Sequence, residues 1–315
     1  MAVAFTFPGQ GSQAVGMGKD LAVAFPEARR VFQEVDDALG ENLSKLIWEG
    51  PEETLTLTAN AQPALMAVSL AAIRALESRG FSLKDKVAYV AGHSLGEYSA
   101  LAAAGFVSVA DAARLLRIRG NAMQAAVPAG EGAMAAIIGL EQADVEAACA
   151  EAAQGAGSVC QVANDNGGGQ LVISGTKGAV ELAAKLCTEK GAKRALMLQV
   201  SAPFHSALMT PAAEIMREAL GSVAKAAPVV PIVSNVTVTP TNDPDEIARR
   251  LVEQVIARVR WRETVEWFGA NGIATLYEIG AGKVLSGLAR RINRDIATAS
   301  VGSAADVEAA LATLV

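Results

Sequence analysis

Three patterns follow one another in Val87-Ala88-Tyr89-Val90-Ala91-Gly92-His93-Ser94-Leu95-Gly96-Glu97-Tyr98-Ser99-Ala100-Leu101-Ala102-Ala103-Ala104-Gly105. Residues 87–91 are apolar and of strand length, residues 92–96 read Gly-x-Ser-x-Gly, and residues 97–104 are rich in alanine and leucine. A strand, a sharp turn and a helix in this order are what a nucleophile elbow requires. The pattern predicts that Ser94 presents its hydroxyl at the top of a sheet. A tight turn with an incidental serine is the alternative.

The composition limits the classes of protein that the chain can form. Of its 315 residues, 51% are hydrophobic and 4% aromatic, so a large aliphatic core is expected. The net charge of −6 argues against a nucleic-acid partner, which needs a basic footprint. Cys149, Cys160 and Cys187 form no Cys-x-x-Cys pair, which favours reduced thiols in a cytoplasmic protein. No signal peptide is recognised, and no apolar run reaches the ~18 residues of a membrane span, so no membrane partner is expected.

Strand-like and helix-like segments alternate along most of the chain, which predicts a mostly parallel sheet covered by helices. Strands of this sheet are expected at 3–7, 87–91, 231–234, 275–278 and 296–300.

Two helices in the first part of the chain are predicted from helical patterns and turn residues. One covers residues 18–39. The other covers residues 63–79, with Pro63 in its first turn, where proline is favoured, and Gly80 just past its end.

A different rhythm occupies residues 131–199, where the order β-α-β-β-α-β is typical of a ferredoxin-like unit. Because strands of the first sheet resume afterwards, we expect an α/β, hydrolase-like domain of residues 1–130 and 200–315 with an inserted ferredoxin-like subdomain. The glycine-rich loop at 8–13 lacks the third glycine of a dinucleotide fingerprint and the Lys-Ser/Thr of a phosphate loop.

A serine hydroxyl is a weak nucleophile at neutral pH and needs an adjacent base, usually histidine. The chain has two histidines. His93 adjoins Ser94, and neighbouring side chains at a strand end tend to point apart. His205 lies in a loop that leads into a helical pattern, and a helix N-terminus keeps an imidazole neutral. We therefore predict His205 as the base, with a capping or packing histidine as the alternative.

No acidic residue between Ser94 and His205 stands at a strand end, where a hydrolase triad would place its acid. A backbone carbonyl or an amide is then the expected partner of the imidazole. The negatively charged oxygen formed during acyl transfer needs two N–H donors. The elbow predicts the N–H of Leu95 as one, and the loop that contains Gln10 fits as the source of the other.

Arg119 is unusual because it lies on the apolar side of a predicted helix that follows Ser108. At about 100° per residue, five apolar residues share that side: Leu115, Leu116, Ile118, Ala122 and Met123. A buried arginine must be paired. Its partner is either a structural carboxylate, such as Glu97 or Asp111, or a substrate carboxylate, which a guanidinium binds with two hydrogen bonds. Beside an acyl-enzyme serine, the second alternative predicts a negatively charged acyl group.

Four sequence blocks follow in order along the chain: Phe7-Pro8-Gly9-Gln10-Gly11-Ser12-Gln13, Gly92-His93-Ser94-Leu95-Gly96-Glu97-Tyr98, Gly132-Ala133-Met134-Ala135-Ala136 and Ser201-Ala202-Pro203-Phe204-His205-Ser206. Two shorter blocks add to them: Asn235-Val236 and Gly280-Ala281-Gly282-Lys283-Val284-Leu285. With these blocks the chain resembles the malonyl-CoA:acyl carrier protein transacylases of bacterial fatty-acid synthesis. The resemblance covers nearly the whole length.

The resemblance implies a ping-pong reaction. Ser94 takes malonyl from coenzyme A, and the phosphopantetheine thiol of acyl carrier protein then takes it from Ser94. By motif position, His205 is base and acid, while Gln10 and Leu95 supply the oxyanion-hole amides. Arg119 binds the malonyl carboxylate.

Three further positions follow from the resemblance alone. Gln62 lines the site, Asn164 lies near the pantetheine path, and the main-chain carbonyl of Gln254 orients the histidine.

Two segments depart from the family pattern. Residues 167–170 read Gly-Gly-Gly-Gln where the family has Ser/Ala-Pro-Gly-Gln, which predicts a looser loop. Residues 258–261 read Arg-Val-Arg-Trp in place of Pro-Val-x-Trp, which weakens the nearby alignment of Gln254.

The expected partners are malonyl-CoA and acyl carrier protein. Coenzyme A and phosphopantetheine thioesters are substrates, and neither a cofactor nor a metal is expected. The sequence carries no legible signal for an oligomer, and a monomer is the expected assembly.

The enzymatic alternatives are a related acyltransferase of polyketide synthesis and a serine thioesterase, which share the same elbow. A non-catalytic module that docks acyl carrier protein is the alternative of another class, and the intact pair Ser94 and His205 argues against it.

Overall fold

The computed structural model describes residues 2–155, 157–200 and 202–314. Ser201, in the block around His205, therefore lies outside the described residues. So do residues 1 and 315 of the expected main domain and residue 156 of the expected insertion. The strands are β1 (Ala2–Phe7), β2 (Tyr89–Gly92), β3 (Gly132–Ile138), β4 (Cys160–Asp165), β5 (Gln170–Thr176), β6 (Arg194–Met197), β7 (Ile232–Val233), β8 (Pro240–Thr241), β9 (Ile273–Ile279) and β10 (Ala297–Val301). The α-helices are α1 (Lys19–Ala24), α2 (Pro26–Leu39), α3 (Leu43–Glu49), α4 (Glu52–Thr56), α5 (Thr58–Ser78), α6 (Leu83–Lys86), α7 (Gly96–Ala103), α8 (Val109–Ala125), α9 (Gln142–Ala152), α10 (Lys177–Glu189), α11 (Thr210–Ser222), α12 (Pro244–Gln254), α13 (Trp261–Ala270), α14 (Val284–Ile292) and α15 (Ala304–Leu314). A 3₁₀ turn covers Ala207–Met209.

The larger sheet has the strand order β10-β9-β1-β2-β7-β8. Its pairs β10–β9, β9–β1, β1–β2 and β2–β7 are parallel, and only the short edge pair β7–β8 is antiparallel. The predicted α/β fold with a mostly parallel sheet is therefore confirmed. The sequence patterns did not predict β8, a two-residue strand that contains Pro240.

The smaller sheet is antiparallel and has the order β4-β5-β3-β6, which is the arrangement of a ferredoxin-like unit. Its core packs α9 and α10 against the strands. The strand β4 extends one residue past Asn164, which the sequence patterns placed in a turn. We propose residues 131–199 as the inserted subdomain, because the chain on both sides of it builds the larger sheet and its helices.

Two helix predictions were wrong, both at prolines. The expected helix over 18–39 is interrupted at Phe25, which is extended because Pro26 begins a new helix without an N–H to continue the old one. The helix expected at 63–79 begins earlier, at Thr58, and Pro63 lies inside it. Pro63 leaves the carbonyl oxygen of Ala59 without its helical donor, and Arg117 Nη1 donates to that oxygen instead, at 2.6 Å.

Helix α5 is buried along most of its length and packs against α2, α7 and α8. Through its contact with α7, the aliphatic core around α5 supports the elbow after β2.

In the described part of the chain, no helix combines the length and the apolarity that crossing a membrane requires.

The elbow brings β2 and α7 into backbone contact. A Cβ atom on Gly92 would lie 1.9 Å from the carbonyl carbon of Gly96, and one on Gly96 would lie 2.1 Å from the carbonyl oxygen of Phe7. Between these glycines, Ser94 has a positive φ of 53°, a strained conformation for a residue with a side chain. The two glycines therefore make the sharp turn possible, as the sequence pattern predicted.

We expect Gly92→Ala to lower the free energy of unfolding by about 3 kcal/mol or more, because backbone atoms cannot yield as a flexible side chain would. Gly221→Ala is the matched control, since a Cβ atom there meets nothing within 4 Å. Urea unfolding should show the control unchanged or stabilised by up to about 1 kcal/mol. Equal midpoints for the two variants would contradict the proposed contact.

Candidate active site

A cleft of about 450 Å³ opens beside the carboxyl ends of β1 and β2, which lie side by side because Phe7 pairs with Gly92. Most residues predicted for the site line this cleft: Gln10, Gln62, Ser94, Leu95, Arg119, Asn164 and His205. Gln254 is fully buried next to them. The fold thus collects the predicted residues from the loop after β1, from α5, α8 and β4, and from the segment before the 3₁₀ turn.

Ser94 and His205 are in hydrogen-bond contact, with 2.7 Å between Ser94 Oγ and His205 Nε2. The other ring nitrogen, Nδ1, lies 2.8 Å from the carbonyl oxygen of Gln254 and 3.1 Å from that of Ala257. Because carbonyl oxygens only accept, Nδ1 must carry the proton, and Nε2 is free to accept from the serine hydroxyl. Two backbone carbonyls therefore occupy the place of the acid in a hydrolase triad.

The environment of His205 keeps its imidazole neutral. Burial and the positive charge of Arg119 together lower the pKa of His205 to about 3; burial is the larger cause, and the hydrogen bonds to the two carbonyls oppose the shift. The sequence predicted this direction but attributed it to a helix N-terminus. The main causes are instead burial and the neighbouring cation, which together favour an uncharged ring at neutral pH.

Arg119 is 1% exposed, yet its hydrogen-bond partners are neutral. Nη1 donates to Gln62 Oε1 at 2.9 Å, and Nη2 donates to Gln254 Oε1 at 2.9 Å and to Ser94 Oγ at 3.1 Å. Neither carboxylate weighed as its structural partner forms an ion pair with it among the described residues, and Asp111 pairs with Arg114 instead. The guanidinium is therefore a cation beside the serine hydroxyl that no carboxylate of the described residues contacts as an ion pair.

Helix α8 directs Arg119 inward as the periodicity predicted, since Leu115, Leu116 and Met123 are buried. The prediction for Ile118 was wrong, because it is 38% exposed at the border of the apolar face. The guanidinium carbon of Arg119 lies 5.6 Å from the centre of the Tyr98 ring, a cation–π contact that stabilises the buried charge.

The side chain of Gln254 connects Ser94 to two ionisable groups, Glu97 and Arg119. Its Nε2 donates to the carbonyl oxygen of Ser94 at 2.9 Å and to the carboxyl group of Glu97, while its Oε1 accepts from Arg119. Glu97 is buried, and burial raises its pKa to about 7. Sequence reasoning missed this network, because it joins the first turn of α7 to residues far along the chain.

Asn235 fixes the elbow from the opposite side. Its Oδ1 accepts from the N–H of Ser94 at 2.8 Å, and its Nδ2 donates to the carbonyl oxygen of Gly92 at 2.7 Å. Asn235 is itself fully buried, so both bonds are shielded from water. The sequence offered it only as part of a short family block, without a role.

The two predicted oxyanion donors lie on adjoining segments. Leu95 follows Ser94 in the elbow and directly precedes the first residue of α7. The loop that carries Gln10 presses against the elbow, since a Cβ atom on Gly9 would lie 2.7 Å from the carbonyl oxygen of His93. The side chain of Gln10 donates to Thr58 Oγ1 at 3.2 Å, which ties this loop to α5.

His93 does not contact Ser94 Oγ and is held elsewhere, as predicted. Its Nε2 lies 2.9 Å from Asn166 Oδ1, next to the cleft-lining Asn164. In the loop at 167–170, which was expected to be loose, the first glycine packs closely, whereas the second and third are exposed. Its three glycines have positive φ values of 73°, 59° and 74°, and a Cβ atom on the first would lie 2.3 Å from Cγ1 of Ile292 in α14.

No group of three or more histidine, cysteine or acidic side chains in the described ranges could hold a metal ion. The three cysteines are free and buried. The cleft therefore offers a serine, a neutral imidazole and a guanidinium as its reactive and charged groups, a set suited to acyl transfer from a substrate that carries an anion.

The chain matches the family described as acyl transferase domain over residues 4–306. It is 47% identical over 312 residues to the malonyl CoA-acyl carrier protein transacylase of Bacillus subtilis strain 168, covering 99% of this chain and 97% of that one. The crystal structure of an acyl-carrier-protein-S-malonyltransferase from Bartonella henselae has a TM-score of 0.97 and 63% identity, covering 100% of this chain and 99% of that one. A malonyl-transacylase solved in complex with a type II PKS acyl-carrier protein has a TM-score of 0.95 and 45% identity, covering 99% of each chain.

The low pKa of His205 predicts an acid-sensitive fold. In the unfolded chain this ring binds a proton below about pH 6.5, whereas the buried ring does not, so stability falls as the pH falls. Between about pH 7.5 and about pH 5, the unfolding free energy of the native protein should drop by about 2 kcal/mol more than that of His205→Gln. Urea unfolding at the two pH values measures this difference. An equal drop in both proteins would mean that the His205 pKa is close to its ordinary value.

Proposed function

The chain belongs to the malonyl CoA-acyl carrier protein transacylases of the acyl transferase family, and from that premise we propose that it transfers malonyl from malonyl-CoA to the phosphopantetheine thiol of acyl carrier protein through an ester on Ser94. The chain is an acyltransferase. The observation that carries the finer proposal is the buried guanidinium of Arg119, which lies 3.1 Å from the serine hydroxyl and forms no ion pair with a carboxylate of the described residues. A malonyl group carries its carboxylate one methylene away from the carbonyl that Ser94 attacks.

In the first half of the reaction, Ser94 Oγ attacks the thioester carbonyl carbon while its proton passes to His205 Nε2. The C–S bond then breaks, and the imidazolium returns the proton to the leaving sulfur, which departs as the thiol of coenzyme A. The carbonyl oxygens of Gln254 and Ala257 orient the ring and stabilise its transient positive charge.

The negative charge that forms on the carbonyl oxygen is stabilised by two backbone N–H groups, which we assign to Leu95 and Gln10. Such donors act strongly because they are fixed before the reaction begins and are shielded from water. Losing one of them typically costs roughly 3 kcal/mol of transition-state stabilisation.

Arg119 holds the malonyl carboxylate during both half-reactions. Its N–H groups are bonded to neutral amide and hydroxyl oxygens, which accept more weakly than a carboxylate does. Gln62, which accepts from Arg119 Nη1, keeps the guanidinium plane in place. A neutral acetyl group would gain nothing from this cation.

The second half-reaction reverses the first, with the thiol of phosphopantetheine as the nucleophile. We place the pantetheine arm along the cleft beside Asn164, which is 7% exposed and lines the cleft wall. Coenzyme A and phosphopantetheine thioesters are then substrates, and the proposal needs no other cofactor. We propose a cytoplasmic monomer that supplies fatty-acid synthesis, and the three free thiols support a reducing compartment.

The first test is the covalent intermediate. Incubation with malonyl-CoA should add one malonyl group to the peptide that contains Ser94, as measured by mass spectrometry of digested protein. Acyl carrier protein that bears phosphopantetheine should remove the group, and the form without it should not. Ser99→Ala, which removes a buried serine of α7, should still be labelled. An adduct on Ser94→Ala, or none on the native protein, would contradict the proposed intermediate.

The second test is the choice of acyl group. We expect Arg119→Ala to lower kcat/KM for malonyl-CoA by about 100-fold or more, because the substrate carboxylate would be left buried without a partner. Loading from acetyl-CoA should change far less. The control is Arg114→Ala, which removes an exposed arginine of the same helix. Equal losses for the two acyl groups in Arg119→Ala would assign this residue a structural role.

A further inference from the structure

Glu97 is a buried carboxyl group that the proposed reaction does not use. It lies in the first turn of α7, three residues after Ser94, and is 2% exposed. Its Oε2 accepts from Gln254 Nε2, and its Oε1 accepts from the backbone N–H of Asn235 at 3.3 Å. Burying a carboxylate is costly unless a cation balances it, so a counter-charge is expected nearby.

Arg119 is that cation, and the Gln254 side chain connects the two charges. Gln254 Oε1 accepts from Arg119 Nη2 at 2.9 Å, while its Nε2 donates to Glu97. A guanidinium only donates and a carboxylate only accepts, so the amide can take one orientation. The cation and the anion are thus linked through one oriented amide group, out of contact with water.

The remaining groups that face Glu97 are neutral. The segment 234–235 offers a hydroxyl and a backbone N–H, and Gln254 offers an amide. The adjacent Tyr98 has its pKa raised to about 12 by burial, so its phenol stays protonated. Burial is the main reason why the pKa of Glu97 rises to about 7, and the hydrogen bonds and Arg119 oppose the rise.

We propose that Glu97 is the counter-anion of Arg119 before the acyl group binds and takes up a proton when the carboxylate of the acyl group binds Arg119. The inference rests on the proposed function. With the acyl carboxylate bound, the buried cluster would hold one cation and two anions, and protonation of Glu97 leaves one of each. Glu97 is a positioning residue, since it acts through Gln254 and does not touch the reacting atoms.

The sign of the pH effect follows from this exchange of anions. A second carboxylate near Glu97 raises the pKa of Glu97 above the value of about 7 that it has in the protein alone. Transfer of malonyl to Ser94 is then most favourable at a pH low enough for Glu97 to be protonated both before and after the transfer. The equilibrium constant for malonyl transfer falls as the pH rises from about 7, the pKa of Glu97 before transfer, to the higher pKa of Glu97 in the malonylated protein. The total fall is about tenfold for each unit by which these two pKa values differ.

The experiment compares the equilibrium constants for malonyl and acetyl transfer from coenzyme A to the enzyme, between about pH 6 and about pH 9. Acetyl has no carboxylate, so the ratio of the two constants cancels the ionisation of the released thiol. We expect the ratio to fall with rising pH in the native protein and to stay flat in Glu97→Gln, which keeps an oxygen for Asn235. A flat ratio in the native protein, or the same fall in Glu97→Gln, would overturn the proposal.

An infrared difference spectrum gives a second reading that does not depend on the variant. Malonylation of native protein should produce the carbonyl stretch of a protonated carboxyl group, and this band should shift when the protein is made with ¹³C-labelled glutamate. A malonylated protein without the band overturns the role of Glu97 alone. A protein that forms no malonyl ester at all overturns the proposed function and this inference together.

Discussion

A guanidinium cation in the apolar interior is the constraint that shapes the site. Arg119 must be solvated by the protein, and Gln62, Gln254 and Ser94 supply the oxygens that do so. Its charge also contributes to keeping His205 neutral, so that an imidazole and a cation can share one cleft. Removing Arg119 would therefore alter the hydrogen bonding of Ser94, the pKa of His205 and the balance of charge around Glu97 at once.

The smaller sheet is bonded to the segment that holds His205. The backbone of β4 bonds with that of Val259, through the N–H of Asp165 at 2.9 Å and the carbonyl oxygen of Ala163 at 2.9 Å. The segment just before Val259 carries the carbonyl oxygens that hold His205 Nδ1. Gln161 of β4 also donates to the carbonyl oxygen of Ile256 at 3.3 Å. The antiparallel sheet thus contributes to the orientation of the imidazole as well as to the wall of the cleft.

Local patterns in the sequence predicted what is determined locally. The strand, the glycines and the helix around Ser94 specify the elbow, because steric limits on adjacent residues leave few other conformations. The predicted start of α5 was wrong because Pro63 is tolerated inside the helix. Arg117, a residue of another helix, donates to the carbonyl oxygen that Pro63 leaves without a helical donor. The roles of Asn235 and of the Gln254 side chain depend on tertiary contacts across more than a hundred residues, which no local period encodes. The absence of an acid at a strand end, by contrast, correctly indicated that backbone carbonyls hold His205.

The burial of the three cysteines has a practical consequence. Cys149, Cys160 and Cys187 pack in the core of the smaller sheet, away from the cleft. A cysteine placed at residue 94 would stand at the cleft while the native sulfurs remain shielded. A thiol-reactive fluorophore or crosslinker could then be attached at this one position without first removing any native cysteine. The same arrangement would let a carrier protein with a reactive pantetheine analogue be trapped on the enzyme as a single covalent species.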